Sequence, residues 1–185
     1  GKKNYWLTNG LKRSGWVRVS GRTGGYGVVV GDVVVKNNID VGGYTTGSYS
    51  ECTFVVDGDL TLTGELQMRK NSVVIVTGNL TCGKLFMKDG LYVKGNITAN
   101  DMSYDGDSNQ KIYCGGNAII PHNLDSTREF KIGGNLDAHE LSLTYTNYYF
   151  GGSIKCTKFN AENNDMNLIV DSFECSGTTT LNNRT

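Results

Sequence analysis

Proline is almost missing from this chain: Pro121 is the single one in 185 residues. Its scarcity excludes a proline-rich linker or a collagen-like rod, both of which depend on the ring's fixed backbone angle. No apolar run approaches the ~18 residues that a membrane-spanning helix needs, so no transmembrane segment is expected. The five cysteines, Cys52, Cys82, Cys114, Cys156 and Cys175, include no C-x-x-C pair. An odd number at long spacings argues against both a zinc site and a disulfide scaffold, and neither metal nor cofactor is expected. Acidic residues are absent from positions 1–31, which hold Lys2, Lys3, Lys12, Arg13, Arg18 and Arg22. The rest of the chain reverses the balance, with 12 basic against 18 acidic residues, and near the C-terminal end Glu162, Asp165, Asp171 and Glu174 face Arg184 alone. Such polarity suits head-to-tail attraction between copies, or an anionic partner at the N-terminal end. No basic stripe continues beyond residue 31, so nucleic acid is not an expected partner. The chain starts at Gly1 without Met or a signal-peptide pattern, as a trimmed, processed or excised segment would.

Glycine, by contrast, is abundant at 25 residues, which disfavours long helices and favours many short strands joined by tight turns. Its placement is periodic. A unit of Gly, then Asn, Asp or Ser, then an aliphatic residue recurs at Gly58-Asp59-Leu60, Gly78-Asn79-Leu80, Gly95-Asn96-Ile97, Gly116-Asn117-Ala118, Gly134-Asn135-Leu136 and Gly152-Ser153-Ile154. Successive glycines there lie 20, 17, 21, 18 and 18 residues apart. Gly31-Asp32-Val33 extends the series upstream and Asp171-Ser172-Phe173 downstream, giving eight units.

Three positions in every unit are apolar. Two before the glycine stand Val29, Val56, Val76, Val93, Cys114, Ile132, Phe150 and Ile169. Two after it stand Val33, Leu60, Leu80, Ile97, Ala118, Leu136, Ile154 and Phe173, and four after it Val35, Leu62, Cys82, Ala99, Ile120, Ala138, Cys156 and Cys175. Residues two apart point to one side of a strand. Each unit therefore reads as a strand through the glycine, a turn near position five or six, and a second inward pair such as Leu85 and Met87, Met102 and Tyr104, or Leu141 and Leu143. A unit of 17–21 residues cannot bury its own inward row, so neighbouring units must stack and share one core. The expected fold is all-β: a single-stranded right-handed parallel β-helix of about eight coils, with an N-terminal cap over residues 1–27, repeats over 28–177 and a polar tail over 178–185. A left-handed β-helix would need an aliphatic residue every six positions. Leu85, Leu91 and Ile97 fit that spacing, but the row six after the glycine is Lys84, Asp101, His122, Glu140 and Lys158.

Stacked Asn79, Asn96, Asn117 and Asn135 are placed to form an amide ladder from coil to coil. Two of them lie in glycosylation sequons, Asn79-Leu80-Thr81 and Asn96-Ile97-Thr98, and a laddered Asn is not free to carry glycan. The inward cysteines read as small core hydrophobes. Cys156 and Cys175 fall on adjacent coils, where a stacked disulfide is the alternative.

Insertions gather at one place in the coil, before each new strand: 42–50, 104–110, 126–129, 144–148 and 160–167. They carry Tyr44, Tyr49, Tyr104, Tyr145 and Tyr148, aromatics that could stack on a glycan or a protein partner, against the plainer reading of variable surface loops. An outward row three before the glycine, Val55, Ile75, Tyr92, Tyr113, Lys131 and Tyr149, is either an interface or a stabilising stack. Asp101, His122 and Glu140, with His139 beside them, are the catalytic candidates, since a carboxylate–histidine–carboxylate line could hold a metal or move protons. Alternating charges on stacked strands also arise from cross-strand pairing alone, so no catalytic residue is assigned and no enzyme expected.

The undecorated coil of strand, Gly, Asn or Asp, and aliphatic residue resembles the right-handed β-helix of bactofilins and related polymer-forming proteins over residues 28–176. The resemblance implies non-enzymatic filament formation by end-to-end stacking, often against a membrane, with the chain itself as principal partner. Pectate-lyase-like β-helices share the Asn ladder, but none of their catalytic residues is matched here. Adhesion to a glycan or cell-surface protein is the alternative role, and a carbohydrate-active enzyme the third. Inward thiols suit a cytosol, whereas the Tyr, Asn and Thr content suits the cell surface, which is the expectation taken.

Overall fold

In a computed structural model, every described strand but one pairs in parallel, and the chain winds as a β-solenoid of about seven turns, with no helix among the described residues. The structure describes residues 7–8, 16–19, 25–42, 52–106, 111–163 and 165–182. One sheet holds twelve strands and the other eight. Eight strands stacked in the smaller sheet are separated by seven steps, which reconciles the eight sequence units with about seven turns.

The inward rows are vertical neighbours. Leu60 pairs with Leu80, Leu80 with Ile97, Ile97 with Ala118, Ala118 with Leu136, Leu136 with Ile154 and Ile154 with Phe173. All except Phe173 are essentially shut off from solvent. Each full turn supplies three inward pairs, such as Leu80 and Cys82, Leu85 and Met87, Leu91 and Val93, and these merge into one continuous core.

Two details differ from the sequence reading. First, the chain does not run as strand through the glycine: Leu91–Val93 ends, Lys94 to Asn96 bends, and Ile97–Tyr104 begins in the other sheet. The glycine is a corner residue, and the reason is close approach between turns. Gly95 N–H donates to Gly78 O at 2.9 Å, and a Cβ on Gly95 would lie 2.6 Å from that same oxygen. Second, positions five and six do not break the strand. Leu80–Met87 runs through Gly83 and Lys84, whose N–H groups both point at Gly64 O at 2.8 and 3.3 Å. Two donors on one acceptor make a bulge, which slips the inward phase by one residue and bends the strand round a corner while it stays bonded.

The Asn ladder forms, with an amide-to-amide bond from Asn96 Nδ2 to Asn79 Oδ1 at 3.2 Å, but its shorter and recurring bonds go to backbone N–H groups. The side-chain oxygen of each rung accepts the backbone N–H of the next: Asn96 N–H to Asn79 Oδ1 at 2.9 Å, Asn117 N–H to Asn96 Oδ1 at 2.8 Å, and Asn135 N–H to Asn117 Oδ1 at 2.8 Å. Asp59 N–H to Asp32 Oδ1 and Ser153 N–H to Asn135 Oδ1 extend it both ways. What the position requires is an acceptor oxygen, which is why Asp serves at 32 and 59.

At the N-terminal end, Trp16–Val19 pairs in parallel with Asn38–Val41, and Leu7–Thr8 folds back antiparallel on it. This segment continues the larger sheet. Trp6, Leu11 and most of the basic cluster lie outside the described residues. At the other end the expected polar tail is partly strand: Ser172–Leu181 pairs with Ser153–Ala161 as far as Leu181. Ile169 is a further correction. It pairs with outward Tyr149 and is 59% exposed, while Leu168 and Val170 turn inward, because the loop before it resets the phase.

Asn96→Asp keeps the acceptor used by Asn117 and should leave stability within ~1 kcal/mol. Asn96→Leu strands that N–H and should cost ~1–3 kcal/mol, read from denaturant midpoints. Burial pushes the Cys82 thiol from 9.0 to about 12, with the Glu65 charge adding to it, Cys114 to about 11, and the Tyr148 hydroxyl from 10.0 to about 12. Folded pKa values above unfolded ones mean that their contribution is whole below about pH 9 and drains as pH rises toward 12. The melting temperature should therefore fall across that window while staying flat just below it.

Candidate functional site

Three surfaces merit comparison: a charged row, an aromatic row and the last turn. The charged row lies where the bulged corner turns side chains outward. Lys84 pairs with Asp101 in register, but the line does not pass through His122. Ala118–Ser126 carries an extra residue, so Asn123 rather than His122 registers with Glu140. Pro121 and His122 occupy the irregularity. His122 Nδ1 stands 3.5 Å from Asp101 Oδ2, while Glu140 turns to Lys158 Nζ at 3.6 Å and accepts from Asn160 Nδ2 at 3.2 Å. The three candidates thus split into two surface pairs, with His139 also exposed. Among the described residues no group of three His, Cys, Asp or Glu side chains is placed to hold a metal. Such pairs contribute at most about 1 kcal/mol each in solvent.

The five tyrosines proposed for binding do not share a surface. Tyr104 and Tyr148 are buried, at 1% and 2% exposure, because Tyr104 ends the strand Ile97–Tyr104 and Tyr148 lies near the start of Asn147–Phe150, both in inward positions. Tyr148 packs edge-on against Phe130, donates to Ser126 O at 2.9 Å and accepts the Tyr145 N–H at 2.9 Å. Tyr145 leans on the core under Arg128, half-buried. Tyr44 and Tyr49 lie outside the described residues. The insertions do fall at one corner, where the chain passes from the larger to the smaller sheet.

The aromatic row is continuous. Val28, Val55, Ile75, Tyr92, Tyr113, Lys131, Tyr149 and Ile169 register one on the next up the smaller sheet. The three tyrosines are exposed, and the Lys131 ammonium sits 4.5 Å over the Tyr149 ring. Lys131 is the one cation among its eight positions, the others being apolar or aromatic.

The last turn is where the rows open. Phe173, partner of buried Ile154, is 38% exposed, and Leu181, partner of Ala161, is 67% exposed. A mainly apolar pocket there is lined by Phe159, Ala161, Met166, Leu168 and Leu181, with Asn163 and Asn182 beside them. Met166, Leu168 and Leu181 were missed from sequence, although one repeat length counted on from Ala161 reaches Leu181.

By fold the protein is a parallel β-solenoid. Compared with protein-family models, with curated proteins and with solved structures, the chain finds no match. Among the described residues no helix is long and apolar enough to cross a membrane.

Glu140→Gln and His122→Ala should each shift stability by less than about 1 kcal/mol in thermal melts, since both side chains meet their partners in solvent.

Proposed function

We propose that this chain is a non-enzymatic structural protein that assembles by stacking the last turn of one copy on the first turn of the next. The observation that carries the reading is the open last turn. Asn167–Ile169 and Ser172–Leu181 are the outermost strands of their sheets and bond on one side only among the described residues. At the other end Gly25–Val30 is the outermost strand of the smaller sheet and Val33–Val35 bonds on one side only among the described residues, while Asn38–Val41 is already covered by Trp16–Val19. Unpaired parallel edges and half-covered apolar rows recruit another edge of the same geometry. A second copy fits both. Its Val33 and Val35, half-buried, continue the rows that end in Phe173 and Cys175.

Charge favours the same occupant. The acid-free residues 1–31 would meet Glu162, Asp165, Asp171 and Glu174. Covering Phe173 and Leu181 contributes about 1.5–3 kcal/mol each at full burial. The resemblance to bactofilins implies this mode of assembly, and the paired charged row fits a role without catalysis. A second reading, adhesion to a glycan or cell-surface protein, rests on the outward tyrosines 92, 113 and 149, which are placed to stack on flat apolar ring faces.

Negative-stain micrographs and sedimentation across rising concentration should reveal rods that lengthen, and added salt should shorten them as charges are screened. The double variant Phe173→Lys, Leu181→Lys should stay monomeric with an unchanged circular dichroism spectrum. A native chain that remains monomeric at the highest concentrations removes the proposal.

A further inference from the structure

The five cysteines are not equivalent once the register is known. Cys82 pairs with Ala99, Cys114 with Val93 and Ile132, and Cys52 with Gly25 and Ser72. Cys156 and Cys175 are register partners on adjacent parallel strands, both in the inward row four after the corner. Adjacent parallel strands stand about 4.8 Å apart, within the roughly 4.4–6.8 Å between Cα atoms that a disulfide bridges. Immediately beyond this pair the register shifts, between Cys156 and Lys158, where Ser176 and Gly177 take up the irregularity. The last turn is also packed from one side only. The Cys175 sulfur is half-exposed and lies 3.4 Å from Thr157 O and 3.5 Å from Thr178 O. Cys156 is buried behind it.

We propose that Cys156 and Cys175 are a dithiol–disulfide pair whose oxidation clips the last turn of the solenoid to the turn before it. The inference stands on the register and is independent of end-to-end assembly. The two thiols divide the chemistry. The Thr179 hydroxyl and the Gly177 N–H hold the Cys175 thiol below its ordinary 9.0, whereas burial pushes Cys156 up to about 12. Cys175 is thus the attacking group and Cys156 the resolving one. With a low-molecular-weight disulfide such as glutathione disulfide as oxidant, the Cys175 thiolate attacks one sulfur. A Cys175–glutathione bond forms and one glutathione leaves as thiolate. Cys156 then loses its proton to solvent and attacks the Cys175 sulfur, expelling the second glutathione. Two protein thiols are oxidised, one glutathione disulfide is reduced to two glutathiones, and no further oxidant is required.

The test treats the folded chain with glutathione disulfide and reads intact mass and peptide maps. The expected product has lost two hydrogens and links the peptides that carry Cys156 and Cys175. Oxidation should also slow protease cleavage within Ser172–Leu181. In Cys156→Ser the reaction should stop at a glutathione adduct on Cys175, and in Cys175→Ser no adduct should form at position 156. The proposal is overturned if both thiols stay free in the folded chain, if Cys175 bonds only to another copy, or if the link forms only after denaturation. The native-chain map alone decides this, whatever the variants do on folding.

Discussion

Each turn of this solenoid is too short to bury its own inward residues, so its stability is borrowed from the turns above and below. The lateral parallel contact is the constraint from which the other features follow. It sets the glycine corner, where the backbones of Gly78 and Gly95 approach until no Cβ fits between them. It sets the position after the glycine, where an acceptor oxygen must meet the N–H of the next turn. It also sets the three inward pairs of each turn, because a row is buried only when the residues above and below are apolar too.

A structure stabilised in one direction has ends that differ from its middle. Leu136 and Phe173 occupy the same row, yet Leu136 is enclosed and Phe173 is not, since Leu136 has neighbours on both sides. The same logic separates the cysteines. Cys82 and Cys114 are inert because turns close over them, whereas Cys175 carries a thiol of altered acidity at the margin of the core. Reactivity here is a property of place in the stack.

The outer surfaces carry chemistry of the plainest kind. Where one row holds Lys84, Asp101, Glu140 and Lys158, stacking brings opposite charges together and they neutralise one another in pairs. Where another holds Tyr92, Tyr113, Lys131 and Tyr149, stacking yields a cation over a ring and a row of aromatic edges.

The amino-acid sequence alone determined the turn length, the inward rows and the recurrence of glycine followed by Asn or Asp, because each reflects a demand repeated at every turn and therefore visible as a period; that the glycine turns a corner between two strands came only from the structure. Features that occur once were not legible in this way. The extra residue that removes His122 from the line of Asp101 and Glu140 breaks the period locally, and a periodic reading passes through it. Tyr104 and Tyr148 look like loop aromatics until the strands are seen to extend one inward position further than counted, and Ile169 looks inward until the loop before it resets the phase. Only the tertiary structure decided which residues lie at the open end and which two thiols stand side by side. Those properties depend on where the stack has no further neighbour and on how each turn takes up its irregular residues.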